Sequence, residues 1–188
     1  MNLTSSTSRT AVVWVKHIQD GGKQGIFYVG GGTDLAGFGV YSSGTAGTAK
    51  FYGYVHGNDF AGTSIVHPGN WYMVGYTDTG TAQTLYVNGL SEGTASRTIT
   101  VANDDGKLGT TPDSEWFEGN IAQFAIWNSI LTTANMQTLW EAGPAGDMTT
   151  IAGPILYLGL GNHNDKGGRP ADTAAIAYDR SGGAESGT

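Results

Sequence analysis

Three acids, Asp113, Glu115 and Glu118, stand within six residues at the start of the stretch DSEWFEGNIAQFAIWNSILTTANMQTLW, residues 113–140. Paired carboxylates are the equipment of glycoside hydrolysis. They sit about 5 Å apart when a covalent intermediate forms and about 6.5–9.5 Å apart when water attacks directly. Alternate residues of a strand share a face, so Asp113 and Glu115 would fall together while Glu118, three further on, would face the other way. Loop acids are more often solvated than catalytic. The preferred reading is a polar loop that lifts Trp116 and Phe117 before a strand begins, and no catalytic residue is assigned.

Other reactive chemistry is thinner still. His17, His56, His67 and His163 are dispersed, and neither a G-x-S-x-G elbow nor an H-E-x-x-H pair occurs. The chain has no cysteine, which removes disulfides, thiol nucleophiles and cysteine-bound zinc together. GGGTD and LGLGN lack the lysine or the glycine spacing of phosphate loops and read as turns.

Aromatic residues carry the better case for binding. In KFYGYVHGN, alternation places Phe51, Gly53 and Val55 on one face and Tyr52, Tyr54 and His56 on the other. With the first face in the core, the second presents two tyrosines and a histidine outward, a surface suited to a sugar or a protein. The competing reading sets that stripe against a second layer or a covering loop. Trp14, Trp71 and Trp127 lie in apolar strands and are expected in the core. Trp116, beside acids, is expected to be exposed. The candidate ligand or partner residues are therefore Tyr52, Tyr54, His56 and Trp116.

The elements that must position these groups are mostly strands. Period-two segments recur at 11–16, 25–29, 37–41, 49–55, 71–77, 84–88, 97–101 and 119–127, with Gly, Asn, Asp and Ser between them. The 31 glycines show no triplet period and mark tight turns, and the short connections demand antiparallel pairing. LTTANMQTLWEAG departs from the pattern. Thr132 or Thr133 caps a helix, Met136, Leu139 and Trp140 share a face, and Gly143 with Pro144 supplies the stop. A further strand is expected at 155–160, and 179–188 reads as a loose tail.

The 188 residues suit one domain. A net charge of −7 with only nine Lys and Arg disfavours nucleic acid as a partner. No apolar run approaches the roughly 20 residues of a membrane span, so no membrane insertion is expected, and no basic leader with an apolar core marks a classical signal peptide.

NWYMVGYTDTGTAQTLYVNG (70–89) resembles the paired strands of laminin G-like, concanavalin A-like jelly-roll domains. GNIAQFAIWNSILTTANMQTLWEAG (119–143) is similar to their closing strand and short helix, and AVVWVK to another strand. The resemblance implies an all-β fold, an antiparallel two-sheet β-sandwich with one short α-helix. The chain order looks permuted, because ILYLGLG and AYDRSGG come last. One domain is expected over 1–188, with 151–178 completing the sandwich and the strand at 155–160 lying near 11–16. Glucanases of this fold carry an E-x-D-x-E triplet, which this chain lacks.

Members of such families often hold calcium with loop oxygens, the ligands that hard cations prefer. The oxygen-rich clusters are Asn103, Asp104 and Asp105, and Asn162, Asn164 and Asp165. Asp-Gly and Asn-rich turns also form without metal, so the cofactor expectation is none, or Ca2+ at Asn103, Asp104, Asp105 and Asp165. The resemblance implies a non-catalytic recognition or display module that works outside cells. With no export signal, the expectation is a bacteriophage virion protein, a capsid decoration or tail-associated part on the virion surface, with affinity for glycans or a cell-surface protein. A homo-oligomer is left open. A calcium-dependent lectin or adhesin module is the alternative, and a glycoside hydrolase stands third.

Overall fold

The computed structural model describes residues 8–18, 21–31, 34–41, 47–55, 57–96, 106–111 and 113–160. They form a jelly-roll β-sandwich of two antiparallel sheets. Sheet A holds β1 (Arg9–His17), β6 (Trp71–Asp78), β7 (Ala82–Val87), β8 (Leu90–Ser96), β10 (Gly119–Trp127) and β11 (Pro154–Leu158), in the order β11-β10-β1-β6-β7-β8. Sheet B holds β2 (Lys23–Gly31), β3 (Asp34–Tyr41), β4 (Lys50–Val55), β5 (Phe60–Ile65) and β9 (Gly106–Leu108), in the order β5-β4-β3-β2-β9. Helix α1 (Thr133–Glu141) follows β10, and a short 3-10 turn, Met148–Thr150, leads into β11. The sequence expected a strand at 97–101, which lies outside the described residues.

The centre of sheet A, around β10, β1 and β6, is buried on both sides, which explains why β1 reads AVVWV instead of alternating with polar residues. Ala11, Val13 and Val15 face sheet B and join Phe27, Phe38, Phe51, Val74, Tyr76 and Phe124 in the main core. Val12 and Trp14 face the other way, into a second core with Met73, Trp127, Met136, Leu139 and Met148. Each fully buried side chain of this size removes apolar area worth about 1.5–3 kcal/mol.

Helix α1 covers that second core. The Thr132 side chain accepts from the Asn135 backbone N–H at 3.1 Å, and the Asn135 side chain accepts from the Thr132 N–H at 3.0 Å, a reciprocal cap. Met136 and Leu139 are buried beneath the helix, but Trp140, expected on the same face, is 42% exposed on its flank. Trp14 and Trp127 lie in the core as expected, while Trp71 is half-buried beside it.

Two features fix the registers. Asn88 and Gly89, both at positive φ, turn β7 into β8, and Asn88 Oδ1 accepts from the Met73 N–H at 3.0 Å. In β10 a register shift opposite Val12 and Trp14 coincides with Gln123 at φ 51°, where the buried Gln123 side chain accepts from the Tyr157 hydroxyl of β11. The strand from 154 to 158 is thereby fastened to β10, one strand away from β1.

One carboxylate ties the two sheets along an open side. Glu92 of β8 accepts from the N–H groups of Thr63 and Ser64 at 2.5 and 2.7 Å, and from their hydroxyls at 2.8 and 2.5 Å. These donors belong to β5, the last strand of sheet B, so the contact also occupies donors on an edge strand. Partial burial alone would raise the Glu92 pKa, yet the four hydrogen bonds outweigh it and hold the carboxyl below its ordinary value. A lowered folded pKa contributes stability above the unfolded value of 4.5 and loses it as pH falls through the folded value. Glu92→Gln is expected to be less stable than wild type at neutral pH and to lose less stability on acidification. Urea unfolding at several pH values checks this, and parallel pH profiles for the two proteins would contradict it.

Candidate functional site

The outer face of sheet B, turned away from both cores, is where chemically capable side chains collect. Register aligns them in rungs across β2, β3 and β4. Lys23 pairs with Tyr41 and Tyr41 with Lys50; Gly25 pairs with Gly39 and Gly39 with Tyr52; Tyr28 pairs with Gly37 and Gly37 with Tyr54. Two lysines and four tyrosines therefore surround three glycines. Glycine is required at Gly39, where an added Cβ would lie 2.3 Å from the Gln24 carbonyl oxygen and 2.8 Å from the Tyr52 ring and hydroxyl. Its missing side chain is the space into which Tyr52 lies.

A hollow of about 380 Å³ opens on this face. That volume falls in the usual range for small-ligand sites. Tyr41, Lys50, Tyr52, Asp59, Phe60 and Ala61 are among its walls. Tyr41 is 50% exposed, whereas Tyr52 is 4% exposed and its hydroxyl has no hydrogen-bond partner among the described residues. A buried, unpartnered hydroxyl costs about 1–3 kcal/mol and becomes satisfied when a ligand supplies the missing group. Burial, followed by the nearby Glu115 and Asp59 charges, pushes the Tyr52 pKa far up, so it remains a neutral O–H donor.

One wall is a clamp. Lys23 Nζ lies 3.0 Å from Asp59 Oδ2 and sits over the rings of Tyr52 and Tyr54, 5.2 and 4.4 Å from their centroids. Asp59 Oδ1 also accepts from the Val55 N–H at 3.1 Å. Burial alone would lower the Lys23 pKa, but the hydrogen bond to Asp59 and the surrounding negative groups raise it above 10.5. The ammonium is thus charged at neutral pH, and on the alkaline side the ion pair is lost as pH rises through that raised value.

The alternation read from KFYGYV is present, with Phe51 and Val55 in the core and Tyr52 and Tyr54 opposite. Their expected outward display needs correction. Tyr52 and Tyr54 are only 4% and 7% exposed, because the Lys23 ammonium covers the rings and the two rings pack edge to face. Truncating either to alanine would open a hole as well as alter a surface. His56 lies outside the described residues. Trp116 is 67% exposed.

Trp116 stands on the loop between β9 and β10, and residues 113–118 of that loop are not strand. The face argument for Asp113, Glu115 and Glu118 therefore lapses. Glu115 is instead folded back: its carboxylate accepts from the Thr111 hydroxyl at 2.9 Å, and its carbonyl accepts from the Gly25 N–H at 2.9 Å. The loop thereby crosses over Gly25 and brings Asp113 and Glu115 close enough to act on Tyr54. Asn103, Asp104, Asp105, Asn162, Asn164 and Asp165, the calcium candidates, lie outside the described residues. Among the described residues no three His, Asp or Glu side chains gather as a metal site.

Sequence reasoning missed Lys23, Tyr41, Lys50 and Asp59. Strand parity places Tyr41 and Lys50 at ends of their strands, but only the pairing register makes them neighbours.

A family model described as the concanavalin A-like lectin/glucanases superfamily matches residues 1–137. No curated protein sequence matches the chain. Among solved structures, a putative carbohydrate-binding protein from Bacteroides ovatus aligns with TM-score 0.68 and 16% identity, covering 94% of this chain and 50% of that one. This chain therefore spans half of that protein's length. A heptameric SAP-like pentraxin from Limulus polyphemus aligns with TM-score 0.60 and 16% identity, covering 78% of this chain and 76% of the other. Domain 4 of an extracellular GH43 arabinanase from Geobacillus stearothermophilus, solved with arabinotriose, aligns with TM-score 0.58 and 20% identity, covering 73% and 68%. At these identities the likeness is one of fold. No helix among the described residues is long and apolar enough to cross a membrane.

Gly39→Ala tests the geometry of the face. The new methyl group must displace the Tyr52 ring or the β2 backbone, so a loss of about 1–3 kcal/mol is expected, with a shifted Tyr52 ring signal in NMR spectra. Unchanged stability and an unmoved Tyr52 would contradict the packing described.

Proposed function

The chain belongs to the concanavalin A-like lectin/glucanases superfamily, and we propose that within it this protein is a non-catalytic glycan-binding module whose combining site is the hollow on sheet B. The observation that carries the reading is the Tyr52 hydroxyl, buried and without a partner among the described residues, at the wall of a hollow that also offers the exposed Tyr41. A sugar presents C–H groups on one face and hydroxyls around its rim. Tyr41 supplies a flat apolar surface for the first, and Tyr52 and Lys50 supply polar partners for the second.

Binding without turnover fits the carboxylates. Glycoside hydrolysis needs two acting across the sugar, whereas Asp59 is the one carboxylate among the described wall residues and is held by Lys23 and the Val55 N–H. The fold likeness to the putative carbohydrate-binding protein from Bacteroides ovatus, and to a domain solved with arabinotriose, supports the same reading. A place on a virion surface would give this binding a setting, and cosedimentation of the protein with purified particles tests that separately. Trp116, exposed on the neighbouring loop, is a second aromatic available to a longer glycan.

A glycan-array screen of the folded protein tests the proposal, followed by calorimetry on the best ligand. Tyr41→Ala is expected to weaken binding by about tenfold or more, near 1.4 kcal/mol. Tyr52→Phe, which removes only the hydroxyl, is expected to weaken binding while leaving thermal stability unchanged or raised, because an unsatisfied buried group is deleted. Wild-type affinity in both variants would overturn the site.

A further inference from the structure

Resting on the glycan reading, the geometry points to an acidic sugar: we infer that the hollow on sheet B selects a glycan unit carrying one anionic oxygen group, with Lys50 as its counter-ion and the Tyr52 hydroxyl as a second donor. The described walls of the hollow contain two lysines, Lys23 and Lys50, and one carboxylate, Asp59, while the charge of Glu115 on the neighbouring loop also reaches Tyr52.

The two lysines are not equivalent. Lys23 is committed to Asp59 at 3.0 Å and to the faces of Tyr52 and Tyr54. Lys50 is half-buried, and among the described residues its ammonium has no hydrogen bond, ion pair or ring contact. A cation held in a partly dry recess without a counter-charge favours an incoming anion over a neutral hydroxyl, because its attraction is less screened there than on open surface.

Tyr52 adds direction. It stands on the same strand face as Lys50, two residues on, so both groups reach the hollow from one strand. Burial keeps its phenol protonated, and a phenol O–H donates readily to an anionic oxygen. Tyr41, paired with Lys50 in register, places an exposed ring beside the charge. A ring face, a cation and an O–H donor thus converge as a pyranose bearing a charged substituent requires. A carboxylate and a sulfate ester share the chemistry recognised.

The experiment compares matched pairs by calorimetry: lactose with sialyllactose, galactose oligomers with galacturonate oligomers, and each neutral sugar with its sulfated form. In wild type the acidic member is expected to bind about tenfold or more tightly, with an advantage that shrinks as salt rises. Preference for the carboxylated or the sulfated set identifies the source of the charge. Lys50→Gln is expected to abolish the advantage, weakening the acidic sugar far more than its neutral match, and Lys50→Arg to restore most of it. Equal affinity for neutral and acidic members in both wild type and Lys50→Gln would overturn the inference and leave glycan binding standing. Absence of binding to every member, with the protein shown folded, would overturn both.

Discussion

Burial of the centre of sheet A on both faces is the constraint from which the rest of the molecule follows. Its inner face packs on sheet B through Val13, Tyr76 and Phe124, and its outer face is closed by Met136, Leu139 and Met148. With helix α1 spent on sheet A, the outer face of sheet B has no helix among the described residues to cover it. It is closed in part by side chains of its own and by the loop that crosses Gly25. The molecule therefore has one face that is rigid from beneath and recessed above, which is what a preorganised binding surface needs.

Within that face, removal of side chains matters as much as their presence. Gly37 and Gly39 leave the middle of β3 bare, and the tyrosines of the flanking strands lean into the space. Lys23 then lies across two of those rings and is fixed by Asp59. The result is a packed wall beside an open recess. A sugar entering the recess meets groups whose positions are already set, so little side-chain entropy opposes binding.

The fold was largely legible because its strongest signals are local. The alternation of β4, the Asn88–Gly89 turn and the Thr132 cap each lie within a few residues of sequence. Strands β5, β8 and β9 escaped, since FAGTSI, LSEGTAS and GKL are rich in small and polar residues and sit at or near sheet edges, where little apolar burial is demanded. The site was legible only in outline. The parity of KFYGYV gave the correct face for Tyr52 and Tyr54, but their burial depends on Lys23, delivered by another strand. Lys23, Tyr41 and Lys50 form a rung only through the pairing of three strands, which no single stretch encodes. The acids at 113–118 lie in a loop, as the preferred reading had it, and strand parity has no hold there because Ser114 has positive φ.

Glycan binding in the hollow of sheet B is the central claim. Its most direct test is an NMR titration of isotope-labelled protein with the tightest-binding sugar from an array. The account predicts that the largest shifts cluster at Tyr41, Lys50, Tyr52 and Ala61, with the Tyr52 hydroxyl gaining protection from exchange. Shifts confined to sheet A or to helix α1, with sheet B silent, would contradict it.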